Sequence, residues 1–472
     1  MHPRLAADRD GLPHLLETVR QHAVGLLKEI SEREVVPSAP LPTPDPLPAQ
    51  GAGLQAAVDD FAARWEPALS ASAGPRYLGF VTGGVTPAAL AGDWLTATWD
   101  QNAMSSLDGA GQHLERETIG WLRTLFGLSE DHHGTFASGA TMSNTVGLAI
   151  AREWLGEQRG ISPAEHGAGA LGSVRVLSGA AHSSVPKGLS MLGLGRKSLV
   201  RVPTRPGREA VDLAALEHAL AEGESESESE SESESDGRCI VVANAGTVNT
   251  VDFDDLRAIA ALRERYSFWL HVDAAFGAFA ALSPEHAHLV DGLDLADSIC
   301  IDLHKWLNVP YDSAVQFTRR PDLQTRVFQN AAAYLGPLGD TPDMAHLTPE
   351  NSRRLRALAA WFTLRAYGRD GHREITERCV DCARALGDAV ESAPGLRLLA
   401  PVRLNVVCFT LAENPTTERL AALAEQLAAE AFLTPTVLDG VPALRAAFSN
   451  WRTTEADARR VAAALHAALP AL

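Results

Sequence analysis

Residues 298–310 read SICIDLHKWLNVP: a four-residue apolar run, then Asp302, Leu303, His304 and Lys305, then Trp306 and Leu307. A run this short and this apolar fits a strand buried on both faces, as in a parallel sheet. Two upstream runs have the same character, CIVVA at 239–243 and FWLHV at 268–272. Polar residues follow all three: Thr247 after the first, Asp273 after the second, His304 and Lys305 after the third. Ligands in open α/β sheets sit beyond the carboxyl ends of strands, so the three endings predict one shared pocket. From about Pro87 onward, short strands of this kind alternate with helical patterns, which places the chain in the α/β class.

Each ending has a chemical and a plain reading. Lys305 in its apolar setting is a usable nucleophile towards an aldehyde, or a lysine reaching from a strand end to water. Asp273, in WLHVDAAFGA, is costly to bury unless a cation or hydrogen bonds satisfy it. A protonated ring nitrogen would do so, and so would a helix cap. In FASGATMSNTVGLAIAR, the small residues Ser138, Gly139, Ala140 and Thr141 open a helix whose free N–H groups suit a phosphate. An ordinary helix start has the same appearance, and no Gly-Lys-Ser/Thr follows to make a Walker loop. His182, in AAHSSV after the strand candidate VRVLS, can stack on an aromatic cofactor and shuttle protons, or serve structure alone.

Composition narrows the class. Over 472 residues, 46% are hydrophobic and 21% charged, as in a globular enzyme, and the formal charge of −18 opposes general nucleic-acid binding. Five scattered cysteines point to a reducing compartment. Cys379 and Cys382 form a C-x-x-C inside a helical pattern, with no second ligand pair, so no metal site is expected. The first residues, MHPRLAADRDGLPHLL, lack the apolar core of a signal peptide, and no window is apolar enough for a membrane span. A cytoplasmic protein is expected.

The N-terminal region has its own character. Leu12, Leu15, Leu16, Val19, Ala23, Leu26, Leu27 and Ile30 form one helical stripe over 11–33, a proline run from Pro37 to Pro48 follows, and helix resumes from Gly51 to Leu69. These first ~80 residues are too small and interrupted for a core of their own, which points to packing on a partner subunit. Residues 224–236, ESESESESESESD, have no apolar face and are expected to form a disordered surface insertion.

The order of these features resembles the group II pyridoxal-phosphate (PLP) dependent amino-acid decarboxylases, a family that includes the aromatic amino-acid, histidine and diaminobutyrate decarboxylases. The matching stretches are LHVDAA, AHSSV and DLHKWL running into VPYDSAV, with ENSRRLRALAAWFTLRAYGRDG similar to the family's double-arginine helix and the start of its small domain. The resemblance implies fold type I, with an N-terminal helical segment (1–85), a large PLP-binding domain with a mixed, mostly parallel sheet (86–360) and a small C-terminal α+β domain (361–472). It implies a homodimer in which the N-terminal segment is exchanged around a two-fold axis.

It also implies roles. Lys305 holds the cofactor as a Schiff base, Asp273 pairs with its ring nitrogen, His182 stacks on the ring and Ala275 packs on the other face. Gly139, Ala140 and Thr141 hold the phosphate, with His304 nearby and Thr247 in the cofactor site. Tyr334, in NAAAYLGP, falls in the family's mobile loop as the proton donor, and Tyr77 and Phe80, in PRYLGF, fall in the side-chain pocket. Two positions depart from the pattern. Asp302-Leu303 replaces Asn-Pro, so no phosphate contact is assigned to Asp302. Val248 replaces a threonine, whose hydrogen bond is either lost or supplied by Thr247. The implied reaction is decarboxylation of an L-amino acid to the amine and CO2. Oxidative decarboxylation to an aldehyde, aminotransferase chemistry and a non-catalytic binding scaffold are the alternatives.

Overall fold

The computed structural model describes residues 1–105, 109–229, 237–330, 338 and 341–471. The three predicted strands form and each runs one residue further than its apolar run, taking in the polar residue that follows: β4 (Cys239–Asn244), β5 (Phe268–Asp273) and β6 (Ser298–Asp302). With β1 (His133–Ala137), β2 (Val176–Ser178), β3 (Leu199–Arg201) and β7 (Ala314–Thr318) they make a seven-stranded sheet ordered β1-β7-β6-β5-β4-β2-β3. Pairing is parallel from β6 across to β3, while β7 lies antiparallel to both β6 and β1. Every residue of β4, β5, β6 and β7 is buried, which is why these segments read as unbroken apolar runs rather than as alternating ones. The register sets Asn244 beside Asp273 and Asp273 beside Cys300, so β4 and β5 finish level and β6 runs two residues further, to Asp302.

Helices cover both faces. The helix Ala140–Gln158 is buried along nearly its whole length. Elsewhere local chemistry fixes the helix starts: Thr86 caps Pro87–Trp99 by accepting from the Ala89 N–H, and Thr454 with Asp457 forms a capping box for Glu455–Ala468. The long helix Ala357–Ser392 breaks at Gly368, whose φ of 60° costs a glycine little, and leads to an antiparallel sheet ordered β10-β11-β9-β8. Its strands are β8 (Leu396–Leu398), β9 (Val406–Leu411), β10 (Thr434–Leu438) and β11 (Val441–Ala447).

The double-arginine stretch precedes that helix rather than lying in it. Arg353 makes a buried bidentate pair with Glu115, at 2.8 and 2.5 Å, and Arg354 pairs with Asp93. Removing one partner of a buried pair like Arg353–Glu115 costs about 3–5 kcal/mol, so this stretch pins the chain against the helix Gly111–Leu125.

Two expectations need amending. The N-terminal stripe forms the helix Leu12–Glu29, but a further helix, Pro3–Asp10, precedes it across Gly11, and Leu54–Arg64 follows. The Ser-Glu tract is not wholly a loop, because the helix Leu213–Ser229 carries its backbone through residue 229. Extending an existing helix fixes one residue per added hydrogen bond, and glutamate is a good helix former, so nucleation upstream is enough. Residues 230–236 lie outside the described residues.

Candidate active site

The carboxyl ends of β4, β5 and β6 open into a continuous cleft. One part, about 120 Å³, is lined by Ala180, His182, Asn244, Thr247, Asp273, Ala275, Phe276, Lys305 and Arg445, among others. The other, about 420 Å³, is lined by Ser138, Gly139, Ala140, Thr141, Asp302, His304 and Tyr311, and the two share Phe80, Val81, Ala140, His182 and Lys305. Residues far apart in sequence thus meet at one place.

Asp273 is 6% exposed. Its Oδ2 accepts from Asn144 Nδ2 at 2.8 Å and its Oδ1 from the Ala275 N–H at 3.2 Å. Among the described residues no Lys, Arg or His stands within ion-pair distance of it. Lys305 Nζ lies 3.7 Å from Asp302 Oδ2 and 5.3 Å from the centre of the Phe276 ring, so only a long ion pair holds it. His182 Nδ1 accepts from the N–H of Ser184 at 3.2 Å and lies 2.8 Å from its hydroxyl. Burial lowers the His182 pKa, partly opposed by the Asp273 charge, which favours the neutral ring.

At the other end, the N-cap residue of the helix Ala140–Gln158 is Gly139, which has no side chain to cap it. The Ala140 N–H donates to Asp302 Oδ2 at 3.2 Å, and Asp302 Oδ1 lies 2.9 Å from His304 Nδ1. Asp302 therefore faces the anion turn, with the Ala140 N–H donating to one oxygen and the His304 ring beside the other. The His304 ring lies 4.1 Å from that of Tyr311.

Sequence reading missed several groups here. Arg445, on β11, is 5% exposed, donates to the Val248 carbonyl, and has an Nε with no hydrogen-bond partner. An arginine inside the apolar run PALRAAF was the available signal. Glu209 accepts from Thr247 Oγ1 at 2.6 Å and from Thr250 N and Oγ1, and Thr247 Oγ1 accepts from Asp252 N. The Thr247 hydroxyl is thus spent on the wall behind the cleft rather than offered to a ligand. Phe80 lines the cleft at 58% exposure, whereas Tyr77 stands outside the lining and stacks on Phe432 at 4.7 Å. Tyr334 lies outside the described residues.

A model of the pyridoxal-dependent decarboxylase conserved domain matches residues 37–412. The chain belongs to that family. It is a PLP-dependent carboxy-lyase, and its relatives act on amino acids. Over 356 aligned residues it is 30% identical to the L-2,4-diaminobutyrate decarboxylase of Acinetobacter baumannii, covering 71% of this chain and 66% of that one. Over 393 residues it is 26% identical to the aromatic-L-amino-acid decarboxylase of Bacillus atrophaeus, covering 80% and 78%. The crystal structure of Oryza sativa TDC with PLP and tryptamine shares the fold, with a TM-score of 0.88 over 98% of both chains at 22% identity.

The cleft fits this cofactor. A buried carboxylate without an ion-pair partner is costly, and a protonated ring nitrogen at Asp273 would remove that cost. The helix start, where only the Ala140 N–H is taken up by Asp302, offers its other N–H groups to a phosphate, and Lys305 offers an amine between the two. Among the described residues there is no cluster able to hold a metal ion, and no helix is long and apolar enough to cross a membrane.

Proposed function

We propose that this decarboxylase releases the α-carboxylate of an L-amino acid with an apolar or aromatic side chain as CO2 and returns the amine. What carries this reading is that Lys305, Asp273, His182 and the buried Arg445 share one cleft. Bound PLP supplies an aldehyde that captures an amine and a ring that accepts the electron pair left when the carboxylate departs. Lys305 anchors the cofactor through its amine, and Asp273 holds the ring N–H. His182 and Ala275 take the two ring faces, and Gly139, Ala140 and Thr141 hold the phosphate beside His304. Arg445, a cation in the lining of the cleft, is suited to a substrate carboxylate. Tyr334 delivers the proton to Cα. Phe80, Val81 and Phe276 give the side-chain end its apolar wall, and Tyr77 shares with Phe80 a contact to Phe432. Product analysis by mass spectrometry, after incubating PLP-loaded enzyme with a panel of L-amino acids, is expected to find one amine. Aldehyde with stoichiometric peroxide would instead assign oxidative decarboxylation.

The same reading extends to the assembly. The chain divides into an N-terminal segment (1–85), a large domain (86–360) and a small domain (361–472). No residue of the three N-terminal helices is buried, and Leu5, Leu12, Leu16 and Val19 face outward. Val35 is buried where the chain returns to the body, donating to the Ala429 carbonyl. An apolar stripe without a core is stable once a second copy covers it. We expect sedimentation to give a homodimer with an interface of roughly 2,000–5,000 Å². A folded, active monomer at working concentration would refute this. The five cysteines, all buried and none in a disulfide, support a cytoplasmic setting.

A further inference from the structure

Behind the cleft runs a closed chain of buried polar side chains. Trp269 Nε1 donates to Ser298 Oγ at 2.9 Å, and Ser298 Oγ lies 2.7 Å from His271 Nδ1. His271 Nε2 lies 2.9 Å from Asn144 Oδ1, and Asn144 Nδ2 donates to Asp273 Oδ2 at 2.8 Å and to Ser184 Oγ at 3.1 Å. Ser184 Oγ reaches His182 Nδ1. Trp269, Ser298, His271, Asn144 and Ser184 are all buried, so no water competes for these bonds. Gly147 shows how closely the helix Ala140–Gln158 is pressed onto this chain: a Cβ there would stand 2.6 Å from His271 Cε1.

The ends of the chain fix the middle. An indole N–H can only donate, a backbone N–H can only donate, and an ionised carboxylate can only accept. Asp273 therefore requires the amide nitrogen of Asn144 on its side, which turns Oδ1 towards His271. Oδ1 can only accept, so His271 Nε2 carries a hydrogen. Burial depresses the His271 pKa to about 4, so the ring is neutral and its Nδ1 accepts from the Ser298 hydroxyl. Only one assignment satisfies every group.

We infer that His271 is a positioning residue: as the Nε2–H tautomer it holds the Asn144 amide so that its two hydrogens face Asp273 and Ser184, and so aims both the Asp273 carboxylate and the His182 ring. This rests on the reading of Asp273 and His182 as cofactor-holding groups. Without the histidine N–H, the buried Asn144 Oδ1 loses its donor, and the amide is held only by the two bonds it donates. The aim of Asp273 and His182 then loosens. Removing partners that orient a functional side chain typically costs about 10–100-fold.

Two substitutions separate orientation from packing. His271→Phe keeps a planar ring of similar shape and loses the donor. His271→Gln loses the ring and keeps an N–H for Asn144 Oδ1. The dissociation constant of PLP, measured by absorbance with Lys305 intact, should rise by about 10–100-fold in His271→Phe and recover most of that in His271→Gln. Equal effects, or tighter binding in the phenylalanine variant, would overturn the inference, because they would mean the ring merely fills space. Should His271→Phe not fold, ¹⁵N-histidine NMR of the unaltered holoenzyme at neutral pH reads the same point. A neutral His271 with its hydrogen on Nε2 is expected, and one on Nδ1, or a charged ring, excludes the proposal. If His271 variants leave PLP affinity unchanged while Lys305→Ala still loses its covalent link, the positioning role alone fails and the cofactor reading stands.

Discussion

Lys305→Ala is expected to remove the visible absorbance of bound cofactor and the borohydride-reducible link to PLP, and to leave turnover at ~1% of the unaltered enzyme or less. The expectation rests on geometry. Lys305 stands where the two parts of the cleft join, with the anion turn on one side and Asp273 on the other. Its amine is held only by a long ion pair to Asp302, so little must be broken for it to react. A positioned nucleophile or proton-transfer group is worth about 10²–10⁴-fold in rate, and an alanine supplies neither. The protein should still fold, because the lysine side chain reaches into the cleft instead of packing a core. A reducible adduct that persists in the variant would move the anchor to another lysine.

Tyr334→Phe carries the second large effect. If the tyrosine protonates Cα once CO2 has left, its loss cuts amine formation by about 10²–10⁴-fold. PLP binding should be unchanged, because none of the cofactor-facing groups assigned above is altered. Aldehyde, ammonia and peroxide are expected to rise as the unprotonated species meets O2. Phenylalanine keeps the ring, so a tyrosine that only packs would be replaced almost silently. Measuring amine and peroxide side by side for both proteins distinguishes these outcomes.

The contrast between what was legible in the sequence and what was not follows distance along the chain. The ends of β4, β5 and β6 could be read because burial on both faces leaves a run of apolar residues that stops at a polar one. Asp273 and Lys305 follow from those strand ends, His182 from its place after another strand and the turn at 139–141 from its small residues at a helix start, and the cleft brings them together. Arg445 could not be placed, because its strand belongs to a different sheet and only the folded chain swings it over the cleft. Asn144 and Glu209 were equally silent: each acts from behind a residue that could be read, through side-chain hydrogen bonds that carry no local pattern. Tyr77, read from the same stretch as Phe80, stacks on Phe432 outside the cleft lining, a placement that depends on a residue some 350 positions away.

The sheet order also dictates when the site can exist during synthesis. The anion turn follows β1, and β1 is held to the rest of the sheet only through β7, which is made some 180 residues later. Until residue 318 has left the ribosome, β1 has no strand to pair with, although the helix that follows it can already bond to β5 and β6 through Ala140 and Asn144. Pairings this distant in sequence are slow to form, because a long loop must close before any contact rewards it. The nascent chain therefore carries an unpaired β1 while some 180 further residues are made, until a single antiparallel strand joins it to the parallel part of the sheet.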